Sequence, residues 1–411
     1  MSSRQRYYFV LILILGALAT ISPFSIDMYL PGFPAIASDL NTTIDKVQLS
    51  LTAYLVGIAI GQLLYGPLLD RFGRKNPLYA GLVVYVLASI ACAFTDSISA
   101  LIVMRFIQAL GGCVGIVAAQ ALVRDLFPVN KIAQAFSLVI LVISVSPMIA
   151  PTVGGYVTSL FGWEYVFLVL GVITVLILIA VYFFLPAGKK ADTTMSLKPK
   201  AVLGNFYLVL KEPQFLIYTI AGGLATAAPF AYIAGSADVF MNIYQVSERQ
   251  YGWIFALLAF AMIGATQLNH LLLKRFRSEQ LIKFTLFYQA IVGVLLVVGT
   301  YYHWYTMYEL IALMFIFLTG QGIISPNTSA LSMAPFNKNA GSASALMGSW
   351  RLGVGGITSG IVSVLHNGTA IPMVGMMAFC TVISLILLYV GILIVEYRDR
   401  NRQAAEKSVL V

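Results

Sequence analysis

Four ionisable side chains, Asp27, Arg105, Glu309 and Arg351, fall inside runs of apolar residues long enough to cross a bilayer. A charge in that setting costs roughly 2.5 to 3.5 kcal/mol on insertion scales unless it is paired or faces water. Each therefore marks either an ion pair or an aqueous path. With a rise of about 1.5 Å per helical residue, Asp27, Arg105 and Glu309 share the outer half of their runs, and Arg351 is nearer the middle of its own. An acid and an arginine that meet across a cavity can take up a proton when apart and release it when together. Asp27 and Arg105 are the pair so placed, and protonation of Asp27 would free Arg105 and change the affinity of the cavity for its ligand. A static structural pair for Arg105 and an interfacial position for Glu309 are the alternatives. Tyr29, Tyr54, Gln62, Gln120, Gln321 and Asn327 lie in the same kind of run. Each either lines a pathway or hydrogen-bonds helix to helix.

A denser group of charges sits in Gly66-Pro67-Leu68-Leu69-Asp70-Arg71-Phe72-Gly73-Arg74-Lys75, between two apolar runs. The stretch predicts a tight charged hairpin in which Gly66 and Gly73 permit the reversal at close approach. Arg71 and Arg74 lie about one helical turn apart, so Asp70 can address one neighbouring helix while an arginine reaches another. A helix beginning near residues 339–342 would present unpaired N–H groups and a partial positive charge, a suitable partner for Asp70. Farther along, Pro147 and Pro151 each remove a helix hydrogen bond, and Gly154 with Gly155 lets a neighbour approach, which predicts a bendable helix.

The elements that must position these groups follow from composition. Of 411 residues, 60% are hydrophobic and 10% charged, against about a quarter charged in soluble domains. The fold class is an all-α integral membrane protein. With about 20 apolar residues per crossing, twelve helices are expected, at 8–30, 47–68, 77–95, 99–123, 133–157, 164–185, 214–237, 249–273, 281–301, 304–325, 340–364 and 371–395. The net charge of +9 is spread over short connections, with no basic face interleaved with aromatics, so nucleic acid is not a partner. Nearly all of the 25 lysines and arginines fall on one side of the twelve runs, Lys46 and Arg249 alone on the other, which places both termini in the cytoplasm. Cys92, Cys113 and Cys380 are embedded in apolar runs as packing residues, with neither a disulfide framework nor a metal cage indicated.

A polar connection near mid-chain divides the runs six and six. The expected organisation is a six-helix bundle over 1–185, a cytoplasmic linker over 186–213, a second six-helix bundle over 214–395 and a cytoplasmic tail over 396–411. An internal repeat agrees with it: residues 63–75 and 267–279 align Leu68 with Leu272, Leu69 with Leu273, Arg71 with Arg275 and Phe72 with Phe276. Parallel repeats of this kind build a central pathway between two pseudo-symmetric bundles. The second copy lacks the glycines and has Lys274 where the first has Asp70, so whatever Asp70 does is done in one half.

The 66–75 stretch resembles the signature loop between the second and third helices of the major facilitator superfamily. Leu101-Ile102-Val103-Met104-Arg105-Phe106-Ile107-Gln108-Ala109-Leu110-Gly111-Gly112 resembles the fourth-helix motif of its proton-coupled members, and Ser146 to Gly155 its antiporter motif, with Ala150 in place of the usual glycine. Asp27 to Pro34, Ser325 to Thr328 and Ala340 to Gly348 are similar to the Bcr/CflA drug-resistance branch. The resemblance spans essentially the whole chain. It implies the major facilitator fold and a proton-driven antiporter that exports amphiphilic drugs such as bicyclomycin and chloramphenicol from the bacterial cytoplasm across the inner membrane. It implies a proton-coupling role for Arg105, a latch between Asp70 and the eleventh helix in the outward-open state, and a pair between Arg74 and Asp125. Gln120 stands where that branch would have a basic residue, which separates this chain from any one drug specificity. Small amphiphiles, protons and the lipid bilayer are the expected partners of a monomer, with the proton gradient as energy source and no cofactor. A symporter importing a sugar or organic acid would need more acidic and polar groups at mid-span. A membrane enzyme would need clustered His, Cys or Asp, yet His270, His303 and His366 lie at the ends of different segments, and a receptor would need a soluble sensing domain.

Overall fold

The computed structural model describes residues 3–189, 191–192, 199–336 and 340–409. It is helical throughout, with no strand among the described residues. The first half comprises α1 (Ser3–Asp27), a 3-10 turn at Leu30–Gly32, α2 (Phe33–Asp39), α3 (Ile44–Arg71), α4 (Lys75–Ala93), α5 (Ile98–Leu126), α6 (Val129–Phe161) and α7 (Glu164–Phe184). The second half comprises α8 (Pro199–Leu210), α9 (Pro213–Ala237), a π-helical turn at Asp238–Ile243, α10 (Glu248–Leu272), α11 (Ser278–Tyr301), α12 (Met307–Met333), α13 (Ala340–Val364) and α14 (Ile371–Val409).

Eleven of these are long and apolar enough to cross a membrane on composition alone. The twelfth long helix, α13, falls short because glycine, serine and Arg351 dilute its apolar content. It is nonetheless packed among the others, against α3 and α9. The stretch expected as a plain linker carries α8, a short helix that touches α9 and α13. Residue 190 and residues 193–198 of that linker lie outside the described residues, as do residues 337–339 ahead of α13.

Local chemistry explains several boundaries. Ser97 accepts the Ala100 N–H at the start of α5, and Ser247 with Gln250 forms a capping box on α10. Gly73 at φ +80° and Gly162 at φ +107° turn the chain after α3 and α6 in a backbone region that side chains penalise.

Helices α1 and α3 to α7 pack on one another, and so do α9 to α14. Inside a bilayer this packing depends on close backbone approach rather than on exclusion of water. Gly57 sits against Ala109 and the Phe106 carbonyl, and Gly111 faces Gly81 and Tyr85 so closely that a Cβ would come within 2.6 Å of the Tyr85 amide nitrogen. The buried Cys113 packs on Gly61, and its Sγ lies 3.4 Å from the Ile58 carbonyl. The two helix sets meet along two seams, α3 on α13 and α6 on α10.

Candidate functional site

The seams are tight at one end of the molecule and part at the other. At the end marked by His366, Thr52 donates to Ser359 at 3.0 Å, Ser363 donates to the Asp45 carbonyl, and Thr152 donates to the Gly252 carbonyl at 3.3 Å. Arg249 adds a 3.0 Å bond to Ser159. Helix α6 contributes its two glycines here. A Cβ on Gly154 would overlap the Met28 carbonyl, and one on Gly155 would come within 2.5 Å of the Glu248 carbonyl. Pro147 and Pro151 lie within α6, which continues unbroken through both.

At the opposite end, marked by Arg74, α3 and α5 draw away from α12 and α13 beyond the contact of Gln62 with Gly348. A cleft of about 400 Å³ opens there. Of the cavity candidates, Gln62, Gln120 and Arg351 line it, together with Gly66, Asp70, Arg74 and Asp125. Gly66 is helical and has no atom within 4 Å of where its Cβ would be, so neither a turn nor a close approach explains it in this conformation. The reversal itself falls on Phe72 to Arg74.

The charged loop organises the rim. Arg74, 7% exposed, donates from Nη1 to Asp70 at 2.5 Å and from Nε to Asp125 at 2.8 Å, tying α3 to the end of α5. Burial works against the Arg74 charge, but the hydrogen bonds to Asp125 and Asp70 outweigh it and hold the guanidinium more firmly protonated than usual. Arg71 is half-buried in the last turn of α3. Among the described residues Asp70 pairs with Arg74, and at the start of α13 Gly341 has nothing within 4 Å of its Cβ position. The chain after α7 folds back over the cluster. The Lys189 N–H reaches Asp125 at 3.0 Å, the Asp192 N–H reaches the Asp70 carbonyl at 3.0 Å, and Gly188, at φ +70°, rests on Leu122 and Arg74.

Asp27 and Arg105 do not meet. Asp27, 4% exposed, closes α1 near the tight end and makes neither an ion pair nor a side-chain hydrogen bond among the described residues. Tyr232 and Tyr251 of the second helix set lie within electrostatic range of it. Arg105 is fully buried among neutral partners. Its guanidinium lies 4.2 Å from the Tyr29 ring centroid and 4.0 Å from that of Tyr54, and it donates to the Ser25 carbonyl at 2.8 Å and to Gln108 at 2.6 Å. Two ring faces and two oxygen acceptors stabilise the charge without a carboxylate, each desolvated cation–π contact contributing about 2 kcal/mol.

The remaining cavity candidates are placed elsewhere. Tyr29 and Tyr54 are the walls of the Arg105 site and do not reach the cleft. Glu309 is exposed and outside the apolar interior; its carboxylate caps α12, accepting the Thr306 N–H at 2.8 Å and hydroxyl at 3.0 Å. Gln321 bonds the Ala225 carbonyl at 2.5 Å and Asn327 bonds Asn269 at 2.7 Å, both within the second helix set. Sequence reasoning passed over Asp238. It is 5% exposed in the π-helical turn, where it accepts from Asn242 at 2.8 Å and pairs with His366 Nε2 at 2.8 Å. Among the described residues no three His, Cys, Asp or Glu come together as a metal site.

Comparison with known proteins bears on this geometry. The family model of the Major Facilitator Superfamily matches residues 15–360. A bicyclomycin resistance protein homolog of Haemophilus influenzae is 32% identical, covering 94% of this chain and 97% of that relative. A chloramphenicol resistance protein of Pseudomonas aeruginosa is 27% identical, covering 97% and 93% respectively. Among solved structures, a bacterial homolog of the human lysosomal transporter Spinster, in an inward-facing and unoccupied conformation, aligns with a TM-score of 0.67. It is 15% identical and covers 95% of this chain and 96% of that one. At that identity the likeness concerns the fold.

Proposed function

The chain belongs to the major facilitator superfamily of membrane transporters, and from that premise we propose that it exports small amphiphilic compounds across a bacterial inner membrane in exchange for protons. The observation that carries this reading is the interface between the helix sets, tight at the His366 end and parted around a cleft at the Arg74 end. A carrier that alternates its access needs two such ends, each able to close while the other opens.

The basic loops assign the Arg74 end to the cytoplasm, which makes this the inward-open state with both termini inside. Residues 1–185 and 214–395 are the two moving units, 186–213 is the cytoplasmic linker and 396–411 the tail, in a carrier that works as a monomer. The relatives named for resistance to bicyclomycin and chloramphenicol support a drug-like substrate.

Asp27 carries the proton. It is the buried carboxylate at the tight end that lacks a fixed partner among the described residues, so opening of that end brings it to water while closure walls it off beside Tyr232 and Tyr251. Arg105, locked between Tyr29 and Tyr54, acts on it through the shape of α1, whose Ser25 carbonyl it holds.

Uptake of two neutral drugs, chloramphenicol and bicyclomycin, into everted vesicles, with and without an imposed pH gradient, tests the reading. Gradient-dependent uptake of both is expected, and Asp27→Asn should abolish the dependence while leaving substrate binding. Uptake confined to one sugar or organic acid would favour the symporter, and full gradient-driven export by Asp27→Asn would remove that residue from the mechanism.

A further inference from the structure

Among the described residues, Arg351 is the one basic side chain in the cleft wall that sits well inside a membrane helix. Its fork is only partly used. Nη1 donates to Ser329 Oγ at 2.8 Å, and Nη2 to Thr328 Oγ1 at 3.0 Å and, more loosely, to the Ser325 carbonyl at 3.4 Å. All three acceptors are neutral; Nε is buried without an acceptor among the described residues, and Nη1 keeps a second N–H. Of the cleft-lining residues on α13, Arg351 lies farthest from the Arg74 end.

The carboxylates of the cleft are committed elsewhere. Asp70 and Asp125 both pair with Arg74 at the rim. The other rim cation, Arg124, lies over the Phe136 ring at 6.0 Å and balances the charge left over where two carboxylates share Arg74, so the rim is neutral in sum. The inner part of the cleft therefore holds a net positive charge next to the neutral amides of Gln62 and Gln120 and the small face of α13. An ionisable group retained inside a membrane helix without an acidic partner points to a function. A guanidinium with a free N–H is the group that recognises an oxygen anion.

We infer that Arg351 selects the substrate by its head group, so that the cleft prefers an amphiphile with an anionic head to a neutral one and a neutral one to a cation. This rests on the reading of the cleft as the substrate path. A carboxylate or similar oxygen head docks on the Nη1 N–H that the bond to Ser329 leaves unused. The apolar body lies against the small residues of α13 between Gly341 and Gly348. A cationic head is repelled by Arg351, while the rim, where Asp70 and Asp125 face Arg74 and Arg124, is neutral in sum and does not offset that charge.

Three dansyl probes that share one ring system test the inference on the purified full-length protein in lipid nanodiscs: dansylglycine (anionic), dansylamide (neutral) and dansyl-ethylenediamine (cationic). Fluorescence titration should place them in that order, the anion bound about tenfold or more tighter than the cation. Arg351→Gln should bring the anion and cation to within about twofold of each other while dansylamide affinity changes little. Arg351→Lys should retain part of the preference. A merely structural role for Arg351 would weaken all three probes alike.

Should Arg351→Gln fail to fold, Gln120→Glu decides the matter by placing an acid on the facing wall, and it should lower dansylglycine affinity and raise that of dansyl-ethylenediamine. A wild-type protein that binds the cation tightest, or an Arg351→Gln protein with the wild-type order intact, overturns the inference. Chloramphenicol uptake by everted vesicles is measured beside it. Loss of uptake with the probe order intact would count against the exporter reading alone, and normal uptake with the wrong order against the Arg351 assignment alone.

Discussion

Helices α3 and α13 carry glycine at both ends of their seam, and the two ends are opposite in kind. Toward the His366 end, a Cβ on Gly356 would come within 3.1 Å of Val56 Cγ2, and one on Gly360 within 3.3 Å of Thr52 Cγ2. Toward the Arg74 end, Gly66 and Gly341 face empty space. The tight end is closed by backbone against backbone, with the carbonyls of Pro151 and Glu248 seated across the seam on Gly252 and Gly155. The parted end is rimmed by charges that pair within one helix set. A steric seal closes wherever surfaces match. A charged rim can exchange partners as the cleft opens and shuts, at a cost small enough to keep both states populated.

The comparison predicts its largest effect at Gly155. Valine there would crowd the Glu248 carbonyl across the seam, which a Cβ alone would approach to 2.5 Å, a strain of about 1 to 3 kcal/mol or more for an overpacked site. Gly155→Val should part the tight end and stop gradient-driven export. Spin labels at Thr52 and Ser359, now joined by a 3.0 Å hydrogen bond, should move apart by several ångströms. An unchanged label distance with normal export would show that the carbonyl contact does not hold the seal.

The next effect, smaller, is at the rim. Arg74→Ala leaves Asp125, 13% exposed at its side chain, with only the Lys189 N–H for a partner among the described residues and releases Asp70, which is 42% exposed. Losing a buried partner outright costs about 3 to 5 kcal/mol. The exposed Asp70 side is screened, so a loss of about 1 to 2 kcal/mol is the reasonable expectation. Thermal unfolding in detergent should show a drop of a few degrees. Asp70→Asn, which removes only the screened half of the pair, should barely shift it, and equal losses for the two variants would mean that the Arg74 bridge is not organised around Asp125.

How much of this was legible in the sequence depends on the length over which each signal acts. The long helices were, because each needs only a run of apolar residues, and even α13 was, despite Arg351 and its glycines. The partners of Arg105 were not. Stacking on Tyr29 and Tyr54 depends on how α1, α3 and α5 cross, and no spacing along one chain segment encodes that. Glu309 was misplaced because Trp304 and Tyr305 extend the apolar run ahead of the true start of α12 at Met307. The local pattern Thr306-Met307-Tyr308-Glu309 is a capping box and would have located that start. Gln321 and Asn327 drew attention as polar residues in apolar helices, but each is consumed by a helix-to-helix bond. Gly188 carried no motif at all, and its importance comes from a left-handed backbone resting on Arg74.

The smallest effect on stability, and the sharpest test of the comparison, lies at Gly66. A leucine side chain there points into the cleft, and its Cβ meets nothing within 4 Å, so the fold should tolerate it within about 0.5 kcal/mol, as for a surface position. Gly356→Leu, its counterpart at the tight end, must displace Val56 and should lower the melting temperature clearly. The two variants differ again in the other state of the cycle. If the Arg74 end closes by bringing the start of α13 onto the end of α3, the new side chain of Gly66→Leu would fill the space that closure needs. That variant should then bind dansylamide like the wild type yet turn over several-fold more slowly, a shift of about 1 kcal/mol in the balance of states being sufficient. Wild-type turnover by Gly66→Leu would mean that the cleft does not shut at that glycine. A melting temperature as low as that of Gly356→Leu would mean that the two ends of the seam are not different in kind.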